Sequence, residues 1–202
     1  MHENPTRVEA FSDGVFAIAI TLLILEIRVP HGEGNLWGGL LALWPSYIAF
    51  LLSFVVILIE WVNHHELLRM VRAVNYPFLF ANGFLLLTVT FVPFPTAVVA
   101  ANLNTPDART AVALYCGTFV ANALLWNLLF ATIVRGGLLR PEVSTETVAT
   151  VRRTYYAGIL VYVLAMALAF VRPALGLILN GALCIVWIRL GYRSESSPAR
   201  RS

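Results

Sequence analysis

Six apolar stretches, each near the length of a bilayer crossing, run through this chain with only short polar links between them. A spanning helix needs about 20 mostly apolar residues, and hydrocarbon tolerates only backbones that satisfy their own polar groups. The stretches are 10–29, 37–62, 77–101, 110–134, 155–170 and 174–190. The second carries Trp44, Pro45 and Ser46 near its start. The last two are the shortest, and only Val171, Arg172 and Pro173 separate them, which implies an antiparallel hairpin. Charged residues make up 12% of the chain, where a soluble domain carries about 25%. The expected class is therefore an all-α polytopic membrane protein with six transmembrane helices. One domain is expected over residues 1–192, followed by a disordered polar tail over 193–202.

The basic residues set the expected orientation. All 14 are arginine. With six spans and a cytoplasmic N-terminus, eleven arginines fall on the inner side, leaving Arg28, Arg109 and Arg172 outside. Five or seven spans would mix the two groups. The positive-inside rule thus selects six spans with both termini cytoplasmic. The net charge of +3 is explained by orientation in a bilayer, and no nucleic-acid partner is expected. Cys116 and Cys184 both lie within apolar stretches and are expected as small buried residues rather than a disulfide or metal framework. A cleavable signal peptide is not expected, because the first stretch is too long and acidic Glu9 and Asp13 stand at its entrance.

That entrance is unusual. Arg7-Val-Glu-Ala-Phe11-Ser12-Asp13 runs without a break into the first apolar helix. Placing an aspartate within a membrane helix costs about 2.5–3.5 kcal/mol on insertion scales, so its side chain should face protein or water. Helical angles separate two faces. With Ile18 at zero, Leu22 lies at about +40° and Leu25 at about −20°, with Phe11 at about +20° and Gly14 at about −40°. Thr21 falls at the stripe's edge, while Asp13 is about 140° away and Ser12 about 120° the other way. Ile18, Leu22 and Leu25 form a narrow aliphatic stripe, and the polar pair points elsewhere. Such a stripe also suits a lipid-facing or helix-facing surface. Gly14, Ala17 and Ala19 allow a neighbouring helix to approach closely.

The second stretch ends with Glu60-Trp61-Val62-Asn63-His64-His65-Glu66, at the same expected membrane depth as Asp13. Tryptophan, histidine and arginine can donate to a buried aspartate, so a structural network among Arg7, Ser12, Asp13, Trp61, His64 and His65 is expected. A metal site is not expected, because adjacent side chains on a helix stand about 100° apart and cannot converge on one ion. A pH-sensitive role for the histidines stays open. No nucleophile elbow, phosphate loop or zinc signature is present, so neither an enzyme nor a bound cofactor is expected.

Arg7-x-x-x-Phe11-Ser12-Asp13, followed by Val15 through Thr21, resembles the transmembrane protein 175 family of endolysosomal and prokaryotic potassium-permeable channels. Trp61-x-x-His64-His65 and the run from Asn82 to Thr96 are also similar to that family. The likeness covers the first three spans, with little motif beyond them. It implies a cation channel whose pore is lined by the first helix. Prokaryotic members carry one six-span unit per chain and assemble as homotetramers, which fits the single motif copy here. The resemblance makes Phe11 part of the structural motif network, whose Ser12–Asp13 part is buried among helices and holds the first helix in place. It places an aliphatic constriction at Ile18, with further rings at Leu22 and Leu25 and a selectivity role at Thr21.

The implied protein permeates K+ and other monovalent cations and sits as a multi-pass protein in a prokaryotic plasma membrane, with lipid and its own copies as partners. An alternative class is a secondary transporter or proton-coupled carrier using Asp13 with His64 or His65. Transporters place broken helices and ionisable groups at the midplane. In this sequence the midplane is apolar, and Pro93 and Pro95 lie toward one end of their span.

Overall fold

The computed structural model describes residues 5–30 and 35–195, with side chains except those of 186 and 188–195. It is all-helical apart from one isolated bridge between Val71 and Leu139. In chain order the helices are α1 (Thr6–Leu22), α2 (Leu36–Ala42), α3 (Trp44–Arg69), α4 (Tyr76–Phe91), α5 (Pro93–Asn102), α6 (Ala108–Arg135), α7 (Thr145–Val171) and α8 (Pro173–Glu195).

Among the described residues, five helical spans are long and apolar enough to cross a membrane, with α4 and α5 counted as one span of 27 residues. The sixth expected span corresponds to α8, whose apolar part within the described residues, Pro173–Ile185, is shorter. Because α8 continues to Glu195, residues 193–195 of the expected tail are helical, and 196–202 lie outside the described residues.

Helix ends differ from the edges of the apolar stretches where capping or winding decides them. The second stretch divides at Leu43 into short α2 and long α3, with Pro45 in the first turn of α3, where a missing N–H costs least. The far end of α3 runs to Arg69, so Glu60, His64 and His65 lie inside the helix rather than at its exit. Helix α7 begins at a Ser144 cap, whose Oγ accepts from the Thr147 N–H at 3.1 Å, and so starts ten residues before the fifth apolar stretch. Asn75 caps α4 in the same way, accepting from the Phe78 N–H at 3.0 Å.

The third span changes winding at Val92. Pro93 and Pro95 cannot donate to the helix ladder, and Val92 instead donates to Val89 at 3.2 Å. The first span is α-helical only to Leu22. It tightens to a 3-10 turn over Leu23–Glu26 and ends where Ile27 turns extended.

Apolar burial alone gives no preference among helices already in lipid, so close approach and internal hydrogen bonds matter. Only Arg172 interrupts α7 and α8, which return side by side as an antiparallel pair. At Gly176 an added Cβ would stand 2.9 Å from Ala169 Cβ, 3.0 Å from the Ala165 carbonyl oxygen and 3.1 Å from Val112 Cγ1. Glycine there lets α8 seat against α7 and α6.

At the end of the bundle where α1 starts, two loops are joined. Arg72 N–H donates to Leu138 at 2.9 Å and Arg140 N–H to Met70 at 2.9 Å. Arg72 also reaches the Gly137 carbonyl at 3.0 Å. Gly137 has φ 62°, a left-handed turn in which glycine pays no Cβ penalty. Val71, Val74 and Leu138 are buried beneath this junction.

Candidate functional site

Helix α1 has two unlike sides. Ser12, Phe16, Ala19 and Leu23 are buried against the rest of the chain. Ile18, Leu22 and Leu25 are 59%, 42% and 68% exposed, and Thr21 is exposed among them. The 3-10 turn refines the geometry expected from α-helical angles. Side chains three apart eclipse in this winding, at about 2 Å rise per residue. Leu25 therefore follows Leu22 along the same row, about 6 Å further on, as Leu22 follows Ile18 by about 6 Å. Thr21 Oγ donates to the Ile18 carbonyl at 2.9 Å, which spends its hydroxyl proton on the helix and keeps oxygen lone pairs outward.

The polar side is tied to α3 and α4. Asp13 Oδ1 accepts from Trp61 Nε1 at 2.8 Å. Ser12 Oγ accepts from Asn82 Nδ2 at 3.1 Å, while Asn82 Oδ1 meets His64 Nε2 at 2.8 Å. Ser12, Asn82 and His64 are all buried. The bond to the Asn82 oxygen makes Nε2 the donor nitrogen of His64. Phe16 and Trp126 pack on the same imidazole, with ring centroids 5.4 and 6.1 Å away. One turn along, His65 Nδ1 lies 3.0 Å from Glu9 Oε1 in a half-buried pair.

Ser12, Asp13, Trp61, His64 and His65 each make a contact between helices, but through three separate links. Asp13 bonds neither histidine. Arg7 and Phe11 do not join these links among the described residues: Arg7 is exposed, and Phe11 is 66% exposed on the side of the aliphatic stripe. The helical angles also put Phe11 near that stripe, apart from buried Ser12.

Asn82 is a site residue beyond those expected from the sequence. It joins Ser12, 70 positions away, to His64, 18 positions away. A lone asparagine inside an apolar helix was the available signal, since a buried amide must be satisfied. A second buried cluster was also missed: Ser53 Oγ lies 2.7 Å from Thr96 Oγ1 and 3.0 Å from the Tyr115 hydroxyl.

A bundle of membrane-length helices, with the first pinned to its neighbours by polar bonds, defines a multi-pass membrane protein. The profile of the TMEM175 family, described as the endosomal/lysosomal potassium channel TMEM175, matches residues 7–93. A protein of Chamaesiphon minutus named a potassium channel is 48% identical over 172 residues, spanning 82% of this chain and 84% of that protein. One of Streptomyces collinus, also named a potassium channel, is 43% identical over 200 residues, spanning 97% and 96%. The crystal structure of a lysosomal potassium-selective channel TMEM175 homolog from Chamaesiphon minutus superposes with a TM-score of 0.82. It is 43% identical and covers 92% of this chain and 97% of that one. The chain belongs to the TMEM175 family, a family of ion channels rather than enzymes.

Proposed function

We propose that this protein is a potassium-permeable cation channel, a homotetramer whose four α1 helices surround the conduction path. The carrying observation is the exposed row Ile18, Leu22 and Leu25 on a helix whose opposite side buries Ser12, Phe16, Ala19 and Leu23. The names of the relatives point to the same permeant ion. In this reading the chain forms six spans, with α8 as the sixth and both termini cytoplasmic. The setting is a prokaryotic plasma membrane.

Four copies of the row make three stacked apolar rings about 6 Å apart. Water leaves a narrow apolar neck unless the neck widens, so the rings act as the gate. Selectivity then rests on the cost of stripping water from the ion, which is lower for potassium than for sodium. Thr21 is the nearest side-chain oxygen to the rings, with its lone pairs free to meet a partly dehydrated cation.

The polar links have a mechanical role. Opening or closing requires α1 to hold a defined rotation, because a turn of one residue would replace Ile18 with buried Ala19. Asp13 with Trp61 and Ser12 with Asn82 set that rotation from two sides. The same links argue against a carrier built on Asp13 and the histidines, since Asp13, His64 and His65 have three different partners.

The experiment is potassium flux from liposomes holding the purified protein, with no ionophore added. Wild-type protein should pass potassium under a gradient. Ile18→Asn should raise the flux several-fold and reduce discrimination against sodium, because an amide ring wets the neck. Nil wild-type flux together with a silent Ile18→Asn sinks the pore assignment.

A further inference from the structure

Glu60 is a carboxyl group inside the bundle that conduction along α1 does not use. It lies within α3, nine residues before the helix ends at Arg69, and is buried. Its Oε2 accepts from Asn122 Nδ2 of α6 at 3.1 Å. The same amide donates to Thr88 Oγ1 of α4 at 3.0 Å, and Thr88 spends its own proton on the Leu85 carbonyl at 2.7 Å. Among the described residues no donor reaches Oε1.

A cavity of about 40 Å³ adjoins the carboxyl, lined from α3, α6, α7 and α8 and by no residue of α1. One water needs roughly 10–15 Å³ by this measure, so the space suits a water-sized or ion-sized guest. Its polar lining is Glu60, Asn63, Asn122, Asn127, the Tyr155 and Tyr162 hydroxyls and the Trp126 and Trp187 indoles, and among the described residues only Asn122 donates to the carboxyl. Asn127 Nδ2 is spent on the Ala123 carbonyl at 2.8 Å and the Tyr155 carbonyl at 3.2 Å. Asn122 Nδ2 is spent as described. The Asn122 and Asn127 amide oxygens receive no hydrogen bond from any described residue, so both are free to meet a guest.

No arginine lines the cavity. The titratable groups facing it are Tyr155 and Tyr162 from α7 and Cys184 from α8. Helix α6 contributes Asn122 and Asn127 and α3 contributes Asn63, none of which titrates, and Thr88 of α4 meets the site only through Asn122. On α3 itself, His64 turns to Asn82 instead. A buried carboxylate with one amide donor and no cationic neighbour lacks the countercharge that burial demands.

We propose that this cavity binds one monovalent positive charge, an alkali cation or a proton, held by Glu60 with the oxygens of Asn122 and Asn127. Binding bridges α3 to α6 inside a subunit, apart from the conduction path. The proposal stands whether or not α1 lines a pore, because its readout is stability in detergent and not flux.

The test measures the thermal unfolding midpoint of purified protein in two arms. One replaces choline chloride by potassium or sodium chloride at constant ionic strength and neutral pH. The other lowers the pH from neutral in choline chloride. Binding at saturation should raise the wild-type midpoint by on the order of 5 °C in at least one arm. Glu60→Gln should lose that rise, because the neutral amide needs no countercharge. Asn122→Leu keeps the carboxylate but removes both its only donor and one proposed oxygen ligand, so it should weaken the alkali arm and steepen the acid arm. A rise confined to the alkali arm identifies an alkali ion, a rise confined to the acid arm identifies a proton, and a rise in both means the two compete. Equal rises in wild type and Glu60→Gln overturn the proposal, as does a wild-type midpoint flat in both arms. If Glu60→Gln does not fold, an Asn122→Leu dependence identical to wild type overturns it.

Discussion

Trp61 Nε1 donates to Asp13 Oδ1 across 2.8 Å, and this bond joins α3 to the side of α1 that faces away from its exposed aliphatic row. An indole N–H has one use, as a donor, and an ionised carboxylate is an acceptor only. The pair is partly open to solvent, with Trp61 37% exposed, so screening limits its strength.

Removing that donor with Trp61→Phe should cost about 1 kcal/mol, typical of a net hydrogen bond at a partly exposed site. Asp13→Asn should cost a similar amount, and the double variant should cost less than the sum. Unfolding midpoints of the four proteins in one detergent give the coupling directly. A coupling energy of zero would mean that the two side chains are neighbours without mutual stabilisation.

Asn82 is the more demanding position. Its amide donates to Ser12 and its oxygen meets His64, with all three groups buried. Asn82→Leu leaves two buried polar groups without a partner, at roughly 1–3 kcal/mol each. The expected result is a sharp loss of folded protein in size-exclusion chromatography. Ser12→Ala removes only one end of the chain and should cost about 1–2 kcal/mol. Near-equal behaviour of the two variants would show that His64 does not depend on the amide.

These two sites show what the chain reveals before folding and what it hides. The spans were readable because twenty apolar residues in a row have few alternatives, and the exposed row on α1 followed from the angles of Ile18 and Leu22. Helix ends were less readable. The apolar stretch stops near Val62, but hydrogen bonding carries α3 on to Arg69, so Glu60 and His64 move from the rim to the interior. Leu25 was placed on an α-helix, and the 3-10 turn moved it onto the Leu22 row. The wiring of the polar residues was hidden because it depends on contacts between distant segments. Composition places Asp13 near His64 in depth but cannot distinguish a bond to His64 from one to Trp61.

Close packing at Gly176 predicts a strong effect far from α1. An added methyl group meets Ala169, the Ala165 carbonyl and Val112 at 2.9–3.1 Å, and two of these atoms belong to the α7 helix. Helices would have to part to admit it. Gly176→Ala should therefore destabilise by about 1–3 kcal/mol, despite the better helix propensity of alanine. Gly83→Ala is the control, since nothing lies within 4 Å of a Cβ there. The midpoint of Gly83→Ala should hold or rise. A Gly176→Ala protein as stable as wild type would show that α8 shifts freely on α7.

The proposed tetramer predicts which cysteines cross-link. Ile18 and Leu22 are exposed on one chain, whereas Ala19 is fully buried against α3 and α4 neighbours. In four-fold symmetry the exposed row meets its copies near the axis, and a disulfide needs Cα atoms within about 7 Å. Ile18→Cys and Leu22→Cys should each yield a covalent dimer on mild oxidation, in place of part of the monomer band on a denaturing gel. Ala19→Cys should not, because its side chain faces its own subunit. The native Cys116 and Cys184 are buried, so the parent protein supplies a low background. Dimer from Ala19→Cys with none from Ile18→Cys would require α1 to be rotated by about 100° and would move the conduction path to its other side.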